Sequence, residues 1–218
     1  MDDSFRVVIL KCCVSIIQMI YIYGDSHANR SFKNIKLPVT DRHCNSITMF
    51  RIGRDNLIIN FNKNEKMIET DIIMLSYGEI DCRCHIQRQV NAGRNEDDVI
   101  HELVHKYFQT IQNNVVQTCK IIIIGIIPTT KQCEHEALYG PITHEFPFVG
   151  TDEYRVRYTN KVNNKLEEYA HANNYVYFNP YAYYARPDGT LKFELSDTYG
   201  HLRDNSYFLE KFYECLNI

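Results

Sequence analysis

A chain of 218 residues, 44% hydrophobic and 23% charged, is long enough to bury a core without cross-links, which excludes a disordered segment and a small disulfide scaffold. Its net charge of −3, with lysine and arginine scattered, leaves no basic footprint for nucleic acid and does not indicate an anionic membrane surface. Cys12, Cys13, Cys82, Cys84 and Cys119 lie in or beside apolar runs, as small hydrophobes do, so the eight cysteines read as reduced thiols of a cytoplasmic protein.

Residues 7–23, VVILKCCVSIIQMIYIY, form the first apolar stretch. Asp2 and Asp3 precede it instead of a basic region, Lys11 and Gln18 interrupt it, and no small-residue cleavage site stands before Gly24, so it reads neither as a signal peptide nor as a spanning helix. Its second half is a buried strand. Residues 1–18 are left unplaced within a single domain covering 1–218.

Five strands are expected, at 19–23, 47–50, 71–77, 120–126 and 175–178. The runs DIIMLSYG and KIIIIGIIP are almost continuously apolar, as in strands covered on both faces of a parallel sheet. Between them, residues 95–116 place Val99, Ile100, Leu103, Val104, Tyr107, Phe108 and Ile111 on one helical face, with Asn95 or Asp97 as N-cap. Residues 152–173 do the same with Tyr158, Val162, Leu166 and Tyr169. Phe208, Phe212 and Leu216 recur every four residues near the end. Strands alternating with helices predict a doubly wound α/β fold, whose ligands bind beyond the carboxyl ends of the strands.

The polar clusters fall at those ends. The first strand runs into Gly24-Asp25-Ser26-His27. RIGRD follows the second and contains Arg51 and Gly53. The third ends in SYGEIDCRCH, with Gly78, Glu79, Asp81 and Arg83. ELSDTYGHLRDN puts Asp197 four residues before His201. A serine hydroxyl needs an adjacent base to act as a nucleophile, and a carboxylate commonly fixes the tautomer of that base. On a helical turn Asp197 and His201 would share a face. Ser26 at the start of a helix would have free backbone N–H groups beside it for a developing oxyanion.

These blocks resemble the SGNH (GDSL-type) hydrolases: YIYGDSHA the first block, Gly53 the glycine of the second, SYGEID the third and LSDTYGHL the Asp…His block. The resemblance covers residues 19 to about 205. It implies a flavodoxin-like three-layer α/β/α sandwich around a mostly parallel five-stranded sheet, with Ser26 as nucleophile, His201 as base and Asp197 as its partner. The implied oxyanion hole consists of the Ser26 and Gly53 backbones, with Gly78 approaching closely. Two departures stand out. The Gly-x-Asn of the third block is Gly78-Glu79-Ile80 here, which removes an amide donor, and Asp-x-x-His has gained a residue. The form GDSH resembles members of the family that act on carbohydrate. It implies hydrolysis of O-acyl groups, O-acetyl above all, from a glycan or small-molecule ester. The same site used for O-acyl transfer to a sugar hydroxyl, or kept as a silent sugar-binding module, are the alternatives; a lipid esterase is disfavoured because no amphipathic lid is evident.

Among the remaining polar residues, Asp25 reads as a turn residue or pocket wall and His27 as lining the pocket. Glu79, Asp81 and Arg83 read as ion pairs closing the strand end, Asp81 to Arg83, Arg51 or Arg54, or, together with Arg51, as substrate contacts. His144, in the loop GPITHEFPF, is a candidate substrate contact. Arg155 and Arg157 are expected to be solvated. Cys82-x-Cys84-His85 lacks the second pair that a zinc site wants, and nothing flanking Cys82 argues for a depressed thiol pKa, so no metal or cofactor is expected.

Overall fold

The computed structural model describes residues 19–56, 67–115, 117–143 and 145–218. Residues 1–18 and His144 therefore lie outside the described residues. Five strands form one sheet in the order β2-β1-β3-β4-β5: β1 Ile20–Gly24, β2 Val39–Asp41, β3 Ile72–Ser76, β4 Lys120–Ile124 and β5 Val176–Phe178. Every pairing is parallel, with Gly24 opposite Ser76 at the carboxyl ends of β1 and β3. This is the doubly wound order whose chain reverses direction between β1 and β3, where such sheets leave a crevice.

Side-chain alternation sorts the strands between two cores. Tyr23, Ile73, Leu75, Ile121 and Ile123 face one layer, built with α2 Met49–Asp55, α4 Glu96–Asn114 and α6 Asp152–Ala172. Ile20, Ile22, Ile72, Met74, Ile122 and Ile124 face the other, built with α1 Ser26–Ser31, α7 Tyr181–Tyr184 and α8 Ser206–Leu216. Asn95 caps α4 by accepting from the Asp97 and Asp98 amides, and Thr151 caps α6 through Tyr154. A π-helix, Asp81–His85, follows β3 and leads into α3 Ile86–Asn91; α5 Gln132–Tyr139 follows β4. Among the described residues no helix is long and apolar enough to cross a membrane.

The second strand is not at 47–50. Thr48 accepts from the Arg51 amide as an N-cap, and Met49 and Phe50 begin α2. The strand lies earlier, at Val39–Asp41, a three-residue edge strand after Pro38 whose residues are only partly covered. Arg155 is not solvated. It is fully buried, donates from Nη1 to the Gly150 carbonyl and from Nη2 to Asp152, and its guanidinium sits 4.8 Å from the Phe148 ring centre. Burial lowers its pKa, and the Asp152 carboxylate works against that.

Candidate active site

Strand β1 delivers its last residue, Gly24, into a space that admits no side chain: a Cβ there would lie 2.3 Å from that of Ala28 and 2.6 Å from the Ser76 carbonyl. Helix α1 can therefore begin immediately at Ser26. Asp25 caps it, its Oδ1 accepting from the His27 amide at 2.8 Å. Ser26, partly exposed, occupies the first turn, where the amides have no intrahelical acceptor.

The Ser26 hydroxyl lies 2.9 Å from His201 Nε2, and His201 Nδ1 lies 3.0 Å from Asp197 Oδ2. With Nδ1–H directed at the carboxylate, Nε2 is left to accept the serine proton. The segment that carries Asp197 and His201 is a closed loop and not the helical turn expected. Asp197 N–H donates to the His201 carbonyl, and Asp197 Oδ1 accepts from the Tyr199 and His201 amides. Thr198 and Gly200 adopt φ of +63° and +113° to close it, and a Ser196–Leu202 bridge holds its base. The extra residue relative to Asp-x-x-His is accommodated in this loop.

The electrostatics suit a base at neutral pH. Burial lowers the His201 pKa; the Asp197 hydrogen bond opposes that shift, and the charge of His27 adds to it. Burial would raise the Asp197 carboxyl, but the His201 side chain and amide outweigh it and hold it at about 2. His27, expected to line the pocket, is engaged on both sides. Its Nδ1 lies 3.2 Å from Asp25 Oδ1 and its Nε2 2.9 Å from the Gly200 carbonyl. Both partners are acceptors, so only the imidazolium satisfies both. Burial alone would lower its pKa, but Asp25 and Glu79 raise it to about 9. The ring centres of His27 and His201 are 4.6 Å apart.

At the end of β3, Gly78 has φ of +119°, and a Cβ on it would press to 2.7 Å from Ile126 and 2.9 Å from Met49. Gly78 lies two residues beyond Ser76, the residue opposite Gly24 where β1 and β3 end together. Glu79 is buried, 3.3 Å from Arg83 Nε and 3.8 Å from His27 Nε2. Ile80, in the place of the amide, packs with Cys84 and Phe146.

Three expected site residues serve α2 instead. Gly53, expected to offer its backbone to an oxyanion, lies within α2, where a Cβ would meet that of Lys106 at 2.7 Å; it lets α2 lie against α4. Arg51 is exposed and 3.7 Å from Asp55, one turn along the same helix. Among the described residues Asp81 pairs with no arginine. Fully buried, it accepts from the Met49 and Phe50 amides at 2.8 and 3.1 Å and so caps α2. Burial, set against those two bonds, raises its pKa to about 7. Cys82 and Cys84 are buried free thiols, Cys84 pushed up to about 12 chiefly by burial. Among the described residues no group of three or more His, Cys, Asp or Glu is arranged to hold a metal.

Two aromatic residues beside the triad escaped the sequence reading, Tyr139 on α5 and Tyr199 within the triad loop. The only available signal was the place of Tyr199 between Asp197 and His201.

No protein-family model and no curated protein matches the sequence. Solved structures do. A GDSL-like lipase from Bacteroides thetaiotaomicron aligns over 91% of this chain and 87% of its own at a TM-score of 0.56 and 12% identity. An acetyl xylan esterase, AlAXEase, aligns over 90% and 98% at 0.53 and 15%. The C-terminal domain of the Drosophila Oskar protein aligns over 93% and 90% at 0.52 and 11%. With its five parallel strands in the order 2-1-3-4-5 between two helical layers, the chain has the three-layer α/β/α fold of the SGNH (GDSL-type) hydrolases.

Proposed function

We propose that the protein is a serine esterase that removes O-acyl groups, O-acetyl in particular, from a carbohydrate. The observation that carries this reading is the continuous hydrogen-bonded path from Asp197 through His201 to Ser26 at 3.0 and 2.9 Å, on a partly exposed serine at the switch point of the sheet. The fold shared with an acetyl xylan esterase supports it.

In this reading Ser26 Oγ attacks the acyl carbonyl while His201 Nε2 takes its proton. The carbonyl π electrons move onto oxygen, then return as the C–O bond to the sugar breaks. The sugar leaves as an alcohol carrying the proton from His201. Water, deprotonated by the same nitrogen, attacks the acyl-serine and releases the acid and free Ser26. Asp197 keeps the imidazole in the tautomer that accepts, and balances the imidazolium.

The Ser26 amide, at the start of α1, is the first donor for the oxyanion. Arg83 is our candidate for the role of the absent amide. It stands three residues beyond Ile80 in the π-helix, a distortion frequent at functional sites. Its Nε is 3.3 Å from Glu79 Oε1, and its guanidinium lies 5.8 Å from the Phe148 ring centre. The replacement of the amide by Ile80 favours one second reading, a site with slow hydrolysis that transfers its acyl group to a sugar hydroxyl.

Side-by-side assays of p-nitrophenyl acetate and O-acetylated sugars with wild type and Ser26→Ala test the proposal. Release of acetate by the wild type alone supports the esterase. Acetylated product formed only when a sugar acceptor is added supports transfer. Equal rates in the two proteins on every ester contradict both.

A further inference from the structure

Helix α5 packs against the triad loop through a set of aromatic contacts that the catalytic geometry does not require. His135 is buried at its centre, its Nδ1 3.1 Å from the Thr198 carbonyl. The Tyr139 hydroxyl lies 3.2 Å from Thr198 Oγ1 and donates to the Asp197 carbonyl at 3.4 Å. The rings of His135 and Tyr139 both meet Tyr199 edge-on, with centres 5.2 and 5.3 Å away. Tyr199 in turn lies parallel to the imidazole of His201, at 13° and 6.2 Å.

Six residues of α5 and the triad loop are thus locked together, yet the two tyrosine rings remain open to water, Tyr139 53% exposed and Tyr199 49%. Leu138 beside them is 60% exposed. Exposed apolar surface held rigidly at the edge of a site marks a ligand contact.

The shape of the surroundings selects the ligand. The cavity beside His27, lined by Asp25, Ser31, Tyr77 and Glu79 among others, has a volume of about 10 Å³. That is at most the room of one water molecule. This cavity, which neither Ser26 nor His201 lines, is too small for a long acyl chain. The tyrosine patch is an exposed aromatic surface, which suits a flat ligand with one C–H face and polar edges. A pyranose ring is such a ligand: its C–H bonds rest on an aromatic face while its hydroxyls stay hydrated.

We infer that Tyr139 and Tyr199 form a sugar subsite that stacks the pyranose ring bearing the ester next to His201. The inference rests on the esterase reading for its position in the reaction, but the stacking surface is testable without turnover. Stacking orients the ester oxygen toward the nitrogen that must return the proton to it.

The test compares O-acetylated xylo- and gluco-oligosaccharides with p-nitrophenyl acetate, which carries no sugar, and with p-nitrophenyl octanoate, which carries a long chain. Tyr199→Leu keeps apolar bulk and loses the ring face; Tyr199→Phe keeps the face. In Tyr199→Leu and Tyr139→Ala, KM for the acetylated sugars should rise about tenfold more than KM for p-nitrophenyl acetate, the worth of one aromatic contact. Tyr199→Phe should retain the sugar KM. Equal losses on all esters, as a merely structural role would give, overturn the subsite, as does a loss confined to the octanoate. Should the wild type hydrolyse no ester, the esterase reading fails by itself, and the subsite is then judged by calorimetric titration of Ser26→Ala with xylohexaose and cellohexaose. Binding that Tyr199→Leu abolishes and Tyr199→Phe preserves sustains it, whereas no binding to either oligosaccharide overturns it.

Discussion

His27 Nε2 lies 2.9 Å from the Gly200 carbonyl oxygen, a bond that ties the helix of the nucleophile to the loop of the base. Ser26 and His201 are 175 positions apart in the sequence. Their alignment depends on α1 and the 197–201 loop staying in register, and His27 spans that joint from its anchor on Asp25. Replacing His27 by Gln keeps a donor for Gly200 but removes the charge between Asp25 and Glu79. We expect Ser26-dependent kcat to fall by about tenfold, because small misplacements of reacting groups are costly, with KM little changed. Steady-state kinetics on a soluble ester checks this.

The same imidazolium makes stability depend on pH. Its pKa in the folded chain is about 9, against 6.5 for the free side chain. The folded state therefore binds the proton more tightly, and the contribution of His27 is fully present below pH 6.5 and lost as pH rises through about 9. The shift corresponds to roughly 3 kcal/mol. Urea unfolding of the wild type should show that decline between pH 7 and 10, measured as the difference from His27→Gln, in which it should be absent.

Activity should follow a bell in pH. The ascending limb belongs to His201, whose pKa burial lowers, so its midpoint falls below 6.5. The descending limb belongs to His27 near 9. Asp197→Asn should leave the fold intact and reduce kcat on the order of 10³- to 10⁴-fold, since an amide no longer enforces the accepting tautomer at Nε2. A pH–rate profile of wild type and both variants separates the two limbs.

Asp81 illustrates a site motif that serves the fold. With Asp81→Ala, the Met49 and Phe50 amides lose their charged acceptor at the start of α2, a loss of about 2 kcal/mol by comparison with helix caps and buried hydrogen bonds. The pH of half-maximal activity should stay where it is. Chemical denaturation and the same pH–rate profile together decide.

Arg83→Lys retains a charge near Glu79 but loses the fork of donors. If Arg83 serves the oxyanion, kcat should fall about a hundredfold, as expected for one lost donor, while the unfolding midpoint moves little. Parallel kinetics and thermal unfolding make the comparison.

Much of this was legible because the signals were local. The runs at 71–77 and 120–126 are apolar on both faces because helices cover both faces of the sheet, and the periodicity of α4, α6 and α8 is long enough to be unambiguous. Ser26, Asp197 and His201 were legible as residue types at strand ends. What escaped was set by tertiary contacts. β2 is three residues at an edge, too short and too little buried to show a pattern. Ile47 and Phe50 look strand-like, yet Thr48 and the distant Asp81 supply caps that start a helix there. Gly53 reads as a loop glycine in sequence, but the helix capped by those residues carries it into contact with Lys106. The burial of Arg155 depends on Gly150, Asp152 and Phe148, which its own sequence pattern does not reveal. Tyr139 and Tyr199 are 60 residues apart, and only the docking of α5 on the triad loop brings them together.

We propose Ser26 as a nucleophile activated by His201 and Asp197. It is tested most directly by reaction with a fluorophosphonate, followed by intact-mass and peptide mass spectrometry, because this needs no knowledge of the substrate. One adduct per chain is expected, located on Ser26, absent from Ser26→Ala and formed far more slowly in His201→Ala. No adduct in the folded wild type, or an adduct that forms equally in Ser26→Ala, would contradict it.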